Sequence, residues 1–223
     1  MSIRIGIYDF FAYTIPGTLY LIATVYICHT AGLCTVDRQW LHSISTVEAI
    51  LFALVGYVVG LLLDPLAKRW YGLFKPKNLS KAMLDEFVRK HPTFVVKFGG
   101  DDWYIVLSHL RRVSDETVYN IERLNATNIL LRNVSFLSLI LILTQVWRMI
   151  IQFSWVELIL GIVFAISTLI SAKEGVKYAK WFYSSQYESL AAYSVTATDL
   201  IERRASTERI DQPMQSSSPP SAG

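Results

Sequence analysis

The chain has 223 residues, of which 52% are hydrophobic, and a mean hydropathy of +0.35. That is too apolar for an ordinary soluble domain of this length, and it points to an all-α integral membrane protein. The net charge of +3 says less than the placement of the charges along the chain.

The first apolar stretch runs from Phe10 to Leu33 and opens with YDFFAYTIPG, with Asp9 at its boundary. It is expected to stay in the mature protein. The short leader carries only Arg4, and no small-x-small cleavage pattern follows the apolar run. Pro16-Gly17 frees backbone groups that lipid cannot satisfy, so neighbouring helices or water must do so. A kink that serves packing is the simpler reading, and a hinge or gate the sharper one. Cys28 and Cys34 lie near the far end. A helix continuing through both would hold them too far apart for a disulfide, which makes two small apolar fillers the simpler reading.

A second stretch, Val47 to Leu63, contains Gly56 and Gly60 in a small-xxx-small pair that lets another helix approach closely. That partner is either span one of the same chain or a second copy. Asp64 follows directly and is expected to act as a terminus charge, within reach of water and Lys68.

The segment 65–113 reads as a cytoplasmic helical region. It opens with PLAKRWYGLFKPKN, whose aromatic and basic residues suit headgroup depth. A helix capped by Asn78 or Ser80 is predicted through LSKAMLDEFVRKH, with Leu79, Met83, Phe87 and Val88 on one face and Pro92 as the stop. The run GGDD at Gly99 to Asp102 resembles the metal-binding turn of nucleotide-cyclising palm domains. A palm domain needs two helices, more strands and a further acid around that turn, and the chain before it supplies one helix. WYIVLSHLRR instead places Trp103, Val106, Leu107 and Leu110 at helical spacing. The expectation is a turn, then a helix capped by Asp101 or Asp102.

Ser114-Asp115-Glu116 begins another helix, with no breaker before the third apolar stretch, Val134 to Ile151. The turn QFSW leads to the fourth stretch, Val156 to Ser171, and the helical pattern continues beyond it with Val176, Ala179, Phe182, Tyr183, Leu190, Tyr193, Ala197 and Leu200 near one face. Residues 114–204 are therefore expected to form a long helical hairpin, in which spans three and four extend as cytoplasmic arms. Residues 1–64 form an N-terminal transmembrane hairpin, and 205–223 a disordered, Ser- and Pro-rich tail. Arg148 and Glu157 lie close to the QFSW turn, where they can pair with one another, or line the mouth of an oligomeric pore.

Twelve Lys and Arg residues fall between Lys68 and Arg132, six between Lys173 and Arg209, and none between spans three and four. The positive-inside rule then places both termini and the central segment in the cytoplasm of a multi-pass inner-membrane protein. No HExxH, GxSxG or P-loop motif occurs, and the four histidines are dispersed. The chain is expected not to be an enzyme, with no catalytic residue, no cofactor and no metal.

The order of DFFAYTIPG, a G-x-x-x-G second span, LLRN before the third, and a long cytoplasmic hairpin resembles a loose group of bacterial four-helix inner-membrane proteins. Some of these sit beside antiviral defence genes. The resemblance implies a membrane component of a defence system and no catalytic residue. Two functions follow as expectations. One is a homo-oligomeric sensor or scaffold whose cytoplasmic helices bind a protein partner and couple it to the lipid bilayer. The other is a pore-forming effector that depolarises the membrane on binding a signal. Arg111, Arg112, Arg123 and Arg132 are candidate contacts for that partner, or for an anionic ligand such as a nucleic acid or cyclic nucleotide, although helical spacing argues against one cluster of all four.

Overall fold

A computed structural model describes residues 7–35, 45–92, 99 and 102–193, and among them six α-helices and no strand. The helices are α1 (Ile7–Thr30), α2 (Thr46–Tyr71), α3 (Leu79–Lys90), α4 (Trp103–Val113), α5 (Asp115–Ile151) and α6 (Trp155–Ala192). Four of them, α1, α2, α5 and α6, are long and apolar enough to cross a membrane. The Asp9 side chain, Asp101, Ala197, Leu200 and the tail from 205 lie outside the described residues.

Local chemistry explains most boundaries. Ser45 and Glu48 form a reciprocal capping box at the start of α2, with the Ser45 N–H 2.7 Å from Glu48 Oε2 and the Glu48 N–H 3.3 Å from Ser45 Oγ. At the start of α5 the Thr117 N–H donates to Ser114 Oγ, and at the start of α6 the Val156 N–H donates to Ser154 Oγ. Gly32, at φ 73°, ends α1: the chain turns back there, the Leu33 N–H donates to the Cys28 carbonyl, and Cys34 Sγ comes within 3.8 Å of the Val25 carbonyl. The helix expected to run through both cysteines therefore stops between them, and both thiols are free.

Several boundaries differ from the sequence expectation. Helix α2 passes through Pro65 to Tyr71 instead of closing at Asp64. Asn78 precedes α3 in the left-handed region, at φ 57°, with no side-chain cap, and Ser80 lies inside the helix, where its hydroxyl meets that of Tyr187 at 3.2 Å. Asp102 likewise does not cap α4. Its carboxylate accepts from the Gly99 N–H at 2.9 Å and so closes the turn before the helix. On α3 the buried residues are Leu79, Leu84 and Phe87, while Val88 is exposed.

Helices α5 and α6 have 37 and 38 residues, so each spans about 55 Å at helical rise, well beyond a ~30 Å hydrocarbon layer. They pack side by side in antiparallel register, with Arg148 opposite Glu157, Ser135 opposite Thr168 and Thr117 opposite Tyr193. Helices α1 and α2 pack on one another and on α5, while α3 packs on α6 and α4 on both α5 and α6.

Two kinds of interior result. Around α4 the core is apolar, built from Val106, Leu110, Val118, Ile121, Phe182 and Leu190. Among the four long helices the buried positions include Thr14, Asn133, Ser135, Ser138, Gln145 and Thr168, while Ile50, Leu54, Val58, Leu62, Ile159 and Ile166 are exposed. Polar and small groups face inward there, and large aliphatic groups face outward.

Candidate functional site

The α1–α2 contact is set by three glycines. A Cβ on Gly17 would overlap the Gly56 carbonyl, and one on Gly60 would overlap the Tyr13 carbonyl, so the two backbones touch where no side chain intervenes. Pro16 is fully buried beside this contact. The small-residue face of α2 is thus filled by α1 of the same chain, the first of the two partners that the sequence left open.

One turn further along α2, Asp64 meets Arg132 of α5 in an ion pair, and the same carboxylate oxygen accepts from Asn133 Nδ2 at 3.2 Å. Arg132 is only 9% exposed and Asn133 is fully buried. Asp64 is therefore an interior group bonded to α5, not a terminus charge bound to water and Lys68. The same stretch of α5 is tied to every other long helix. Tyr20 of α1 donates to the Asn133 carbonyl at 2.9 Å, Trp70 Nε1 of α2 donates to Ser135 Oγ at 3.1 Å, and Ser135 Oγ donates to the Thr168 carbonyl of α6 at 3.1 Å. Tyr71 donates to Asn128 Oδ1 at 3.0 Å, and its ring packs so close to Gly175 that a Cβ there would lie 3.1 Å away. Each such bond between apolar helices contributes about 0.6 kcal/mol, so the set is worth several such increments.

Asn128, Asn133, Ser135, Trp70 and Tyr71 are members of this layer that the sequence reading passed over. The available signal was a polar stripe on α5 at 128, 132, 135 and 138, recurring every three or four residues as one helix face does.

The four arginines proposed as ligand contacts separate. Arg132 is buried in the polar layer, Arg111 pairs with Glu122, and Arg112 and Arg123 are exposed. Arg111 and Arg132 are thus each already paired within the chain. A different cationic cluster forms just past α2. Lys75 stands over the Tyr183 ring at 5.6 Å, and its ammonium is held below the ordinary lysine range, first by burial and then by the positive charges of Arg132 and Lys68.

At the opposite end of the long helices, Arg148 pairs with Glu157 at 2.9 Å. Glu157 is 6% exposed, and its second carboxylate oxygen has no hydrogen-bond partner among the described residues. Nearby, Gln145 donates to the Tyr26 hydroxyl at 3.1 Å, linking α5 to α1. A cavity of about 890 Å³ opens here between α1, α5 and the start of α6.

The third polar feature lies below the long-helix layer. Gln186 is fully buried, one turn from Phe182 and one from Leu190, and neither of its amide atoms has a partner among the described residues. Its neighbour Tyr187, also fully buried, packs against Phe87 of α3 at a ring distance of 5.9 Å. Compared with protein-family models, curated proteins and solved structures, the chain matches none.

Proposed function

We propose that the protein is a self-associating multi-pass membrane protein of the bacterial inner membrane that couples a cytoplasmic protein partner to the bilayer, as sensor or scaffold, in antiphage defence. Membrane residence rests on the inverted interior. Large aliphatic residues cover the outside of four long helices while polar groups fill the inside, and in water so wide an apolar exterior drives association. Coupling rests on one observation above the rest. Helices α5 and α6 run without a break from the apolar layer into the region where α3 and α4 pack on them. A helix of this length transmits a tilt or rotation of its lower half to its upper half, because its backbone hydrogen bonds resist a local break. The arms beyond the apolar layer form the cytoplasmic hairpin, with both chain termini on that side.

The pore reading has weaker support, because Arg148 and Glu157 neutralise one another within one chain and leave no ring of single-sign charge to select ions.

The deciding experiment records membrane potential with a voltage-sensitive dye, before and after phage challenge, in cells expressing the chain alone and with its genomic neighbours. A steady potential in protected cells is the expected result. Depolarisation that precedes death and changes with Arg148→Gln or Glu157→Gln overturns the scaffold reading in favour of the pore. Topology is checked separately: a reporter fused after Gly223 should be active in the cytoplasm and one inserted at Phe153 in the opposite compartment.

A further inference from the structure

The cavity at the turn between α5 and α6 has two unlike halves. Ile27, Leu143 and Ile151 supply an apolar wall, while Arg148, Glu157 and Thr144 supply a polar one. Thr144 donates its hydroxyl hydrogen to the Ile140 carbonyl at 3.0 Å and so offers only its lone pairs to the cavity. Arg148 spends one terminal nitrogen on Glu157 and keeps further N–H donors. Glu157 Oε2 has no partner among the described residues and is sealed from solvent, so a ligand meets this costly unmet acceptor only when the carboxylate turns toward the cavity that Glu157 lines.

An ion pair at a cavity wall presents both signs at once. A purely anionic ligand would compete with Glu157 for Arg148 and leave the carboxylate stranded, and a purely cationic one would strand the guanidinium. A zwitterion satisfies both. The apolar half, open beside exposed Leu143 and Ile151, suits a hydrocarbon chain joined to that zwitterion. Depth agrees: Trp147, Phe153 and Trp155 are all exposed at this end, as aromatic residues are at the headgroup level of a bilayer.

We infer that this cavity is a binding site for a phospholipid with a primary ammonium, of the phosphatidylethanolamine class. Its phosphate sits on Arg148, its ammonium donates to Glu157 and Thr144, and its first acyl chain lies along Ile27 and Leu143. A quaternary ammonium has no N–H to give the carboxylate, and a glycerol headgroup has no cation, so both bind less well. The inference rests on the membrane reading above. The occupied site would tie α1 to the α5–α6 turn through one lipid, making the packing of the long helices responsive to the lipid around them.

The test uses the full chain, purified in mild detergent, delipidated and then offered phosphatidylethanolamine, phosphatidylcholine or phosphatidylglycerol with identical acyl chains. Intact-complex mass spectrometry counts the lipids retained. One phosphatidylethanolamine per chain is expected, with retention about tenfold above that of the other two, the ratio set by loss of one charge-assisted contact. Soluble phosphoethanolamine should not displace it, because it lacks the chain; displacement at equal concentration would overturn the lipid assignment. Arg148→Gln should lower retention of all three lipids, and Glu157→Gln should erase only the preference for the primary ammonium. Ala31→Phe, which fills the cavity from the turn just after α1 and leaves the ion pair intact, should also empty it; unchanged retention in that variant would place the lipid elsewhere. Equal retention of the three lipids by the unaltered chain overturns the inference while the membrane reading stands. Release of the chain from membranes by alkaline carbonate overturns both.

Discussion

The Asp64 carboxylate on α2 accepts from the Arg132 guanidinium on α5, a partner 68 positions away in the chain. Both side chains are largely buried, at 17% and 11% exposure; the pair is made by a terminal guanidinium nitrogen, and Arg132 Nε has no partner among the described residues. Two costly groups thus meet only when the second and third long helices are in register.

Replacing one member should therefore cost far more than replacing both. Asp64→Asn leaves a buried guanidinium without its counter-charge and is expected to destabilise the protein by about 3 kcal/mol, whereas Asp64→Asn with Arg132→Met should recover much of that loss. Thermal unfolding in detergent, followed by tryptophan fluorescence, measures both. Equal loss in the single and double variants would show that the pair contributes nothing specific.

The glycines of α1 and α2 allow a matched comparison. Gly17→Ala puts a methyl group into the Gly56 backbone and should cost about 1–3 kcal/mol through overpacking. Gly161→Ala is the control, because its Cβ would meet Gln145 at 3.7 Å, an ordinary contact. Comparable melting temperatures for the two variants would refute the backbone contact.

Gln186 is expected to be a site of easy stabilisation. Its amide is fully buried with no partner among the described residues, between Phe182 and Leu190, and Gln186→Leu should raise stability by about 1–3 kcal/mol, the desolvation cost of an unmet polar group. A lower melting temperature in Gln186→Leu would show that an ordered water or another group satisfies the amide.

Lys75 gives a pH dependence with a definite sign. Its folded-state value lies below its unfolded one because burial and two nearby cations disfavour the charged form. Between those two values the unfolded chain binds more protons, so the Lys75 contribution makes stability rise as pH rises toward the ordinary lysine range. Lys75→Met removes that contribution. The melting temperature of the unaltered protein minus that of the variant should therefore increase with pH through this window, and a flat difference would mean that Lys75 titrates normally in the fold.

Much of the architecture is legible in the residues because it follows from local periodicity. Four apolar runs, the capping hydroxyl at Ser114, and the spacing of Val106 and Leu110 each report on their own helix and need no partner to be read. Helix α2 outlasted its apolar run because Asp64, Pro65 and Lys68 are tolerable in a helix whose far end is held by Trp70 and Tyr71. Val88 and Leu84 exchanged roles on α3 because Tyr187 of α6 decides which side of that helix is covered. Arg148 and Glu157 could be seen as a pair in the sequence, since only a short turn separates them, but the cavity beside them needs α1 to supply its third wall.

What the sequence determined by itself was the set of helices and the position of their apolar runs, both functions of near neighbours along the chain. Tertiary structure alone decided that Asp64 belongs to Arg132, that α1 fills the glycine face of α2, and that Gln186 is sealed among apolar groups. Those outcomes depend on which helix lies beside which and in what register. Near-neighbour spacing does not encode that choice: it is made by the sum of close backbone approach, buried charge and shape across the whole bundle.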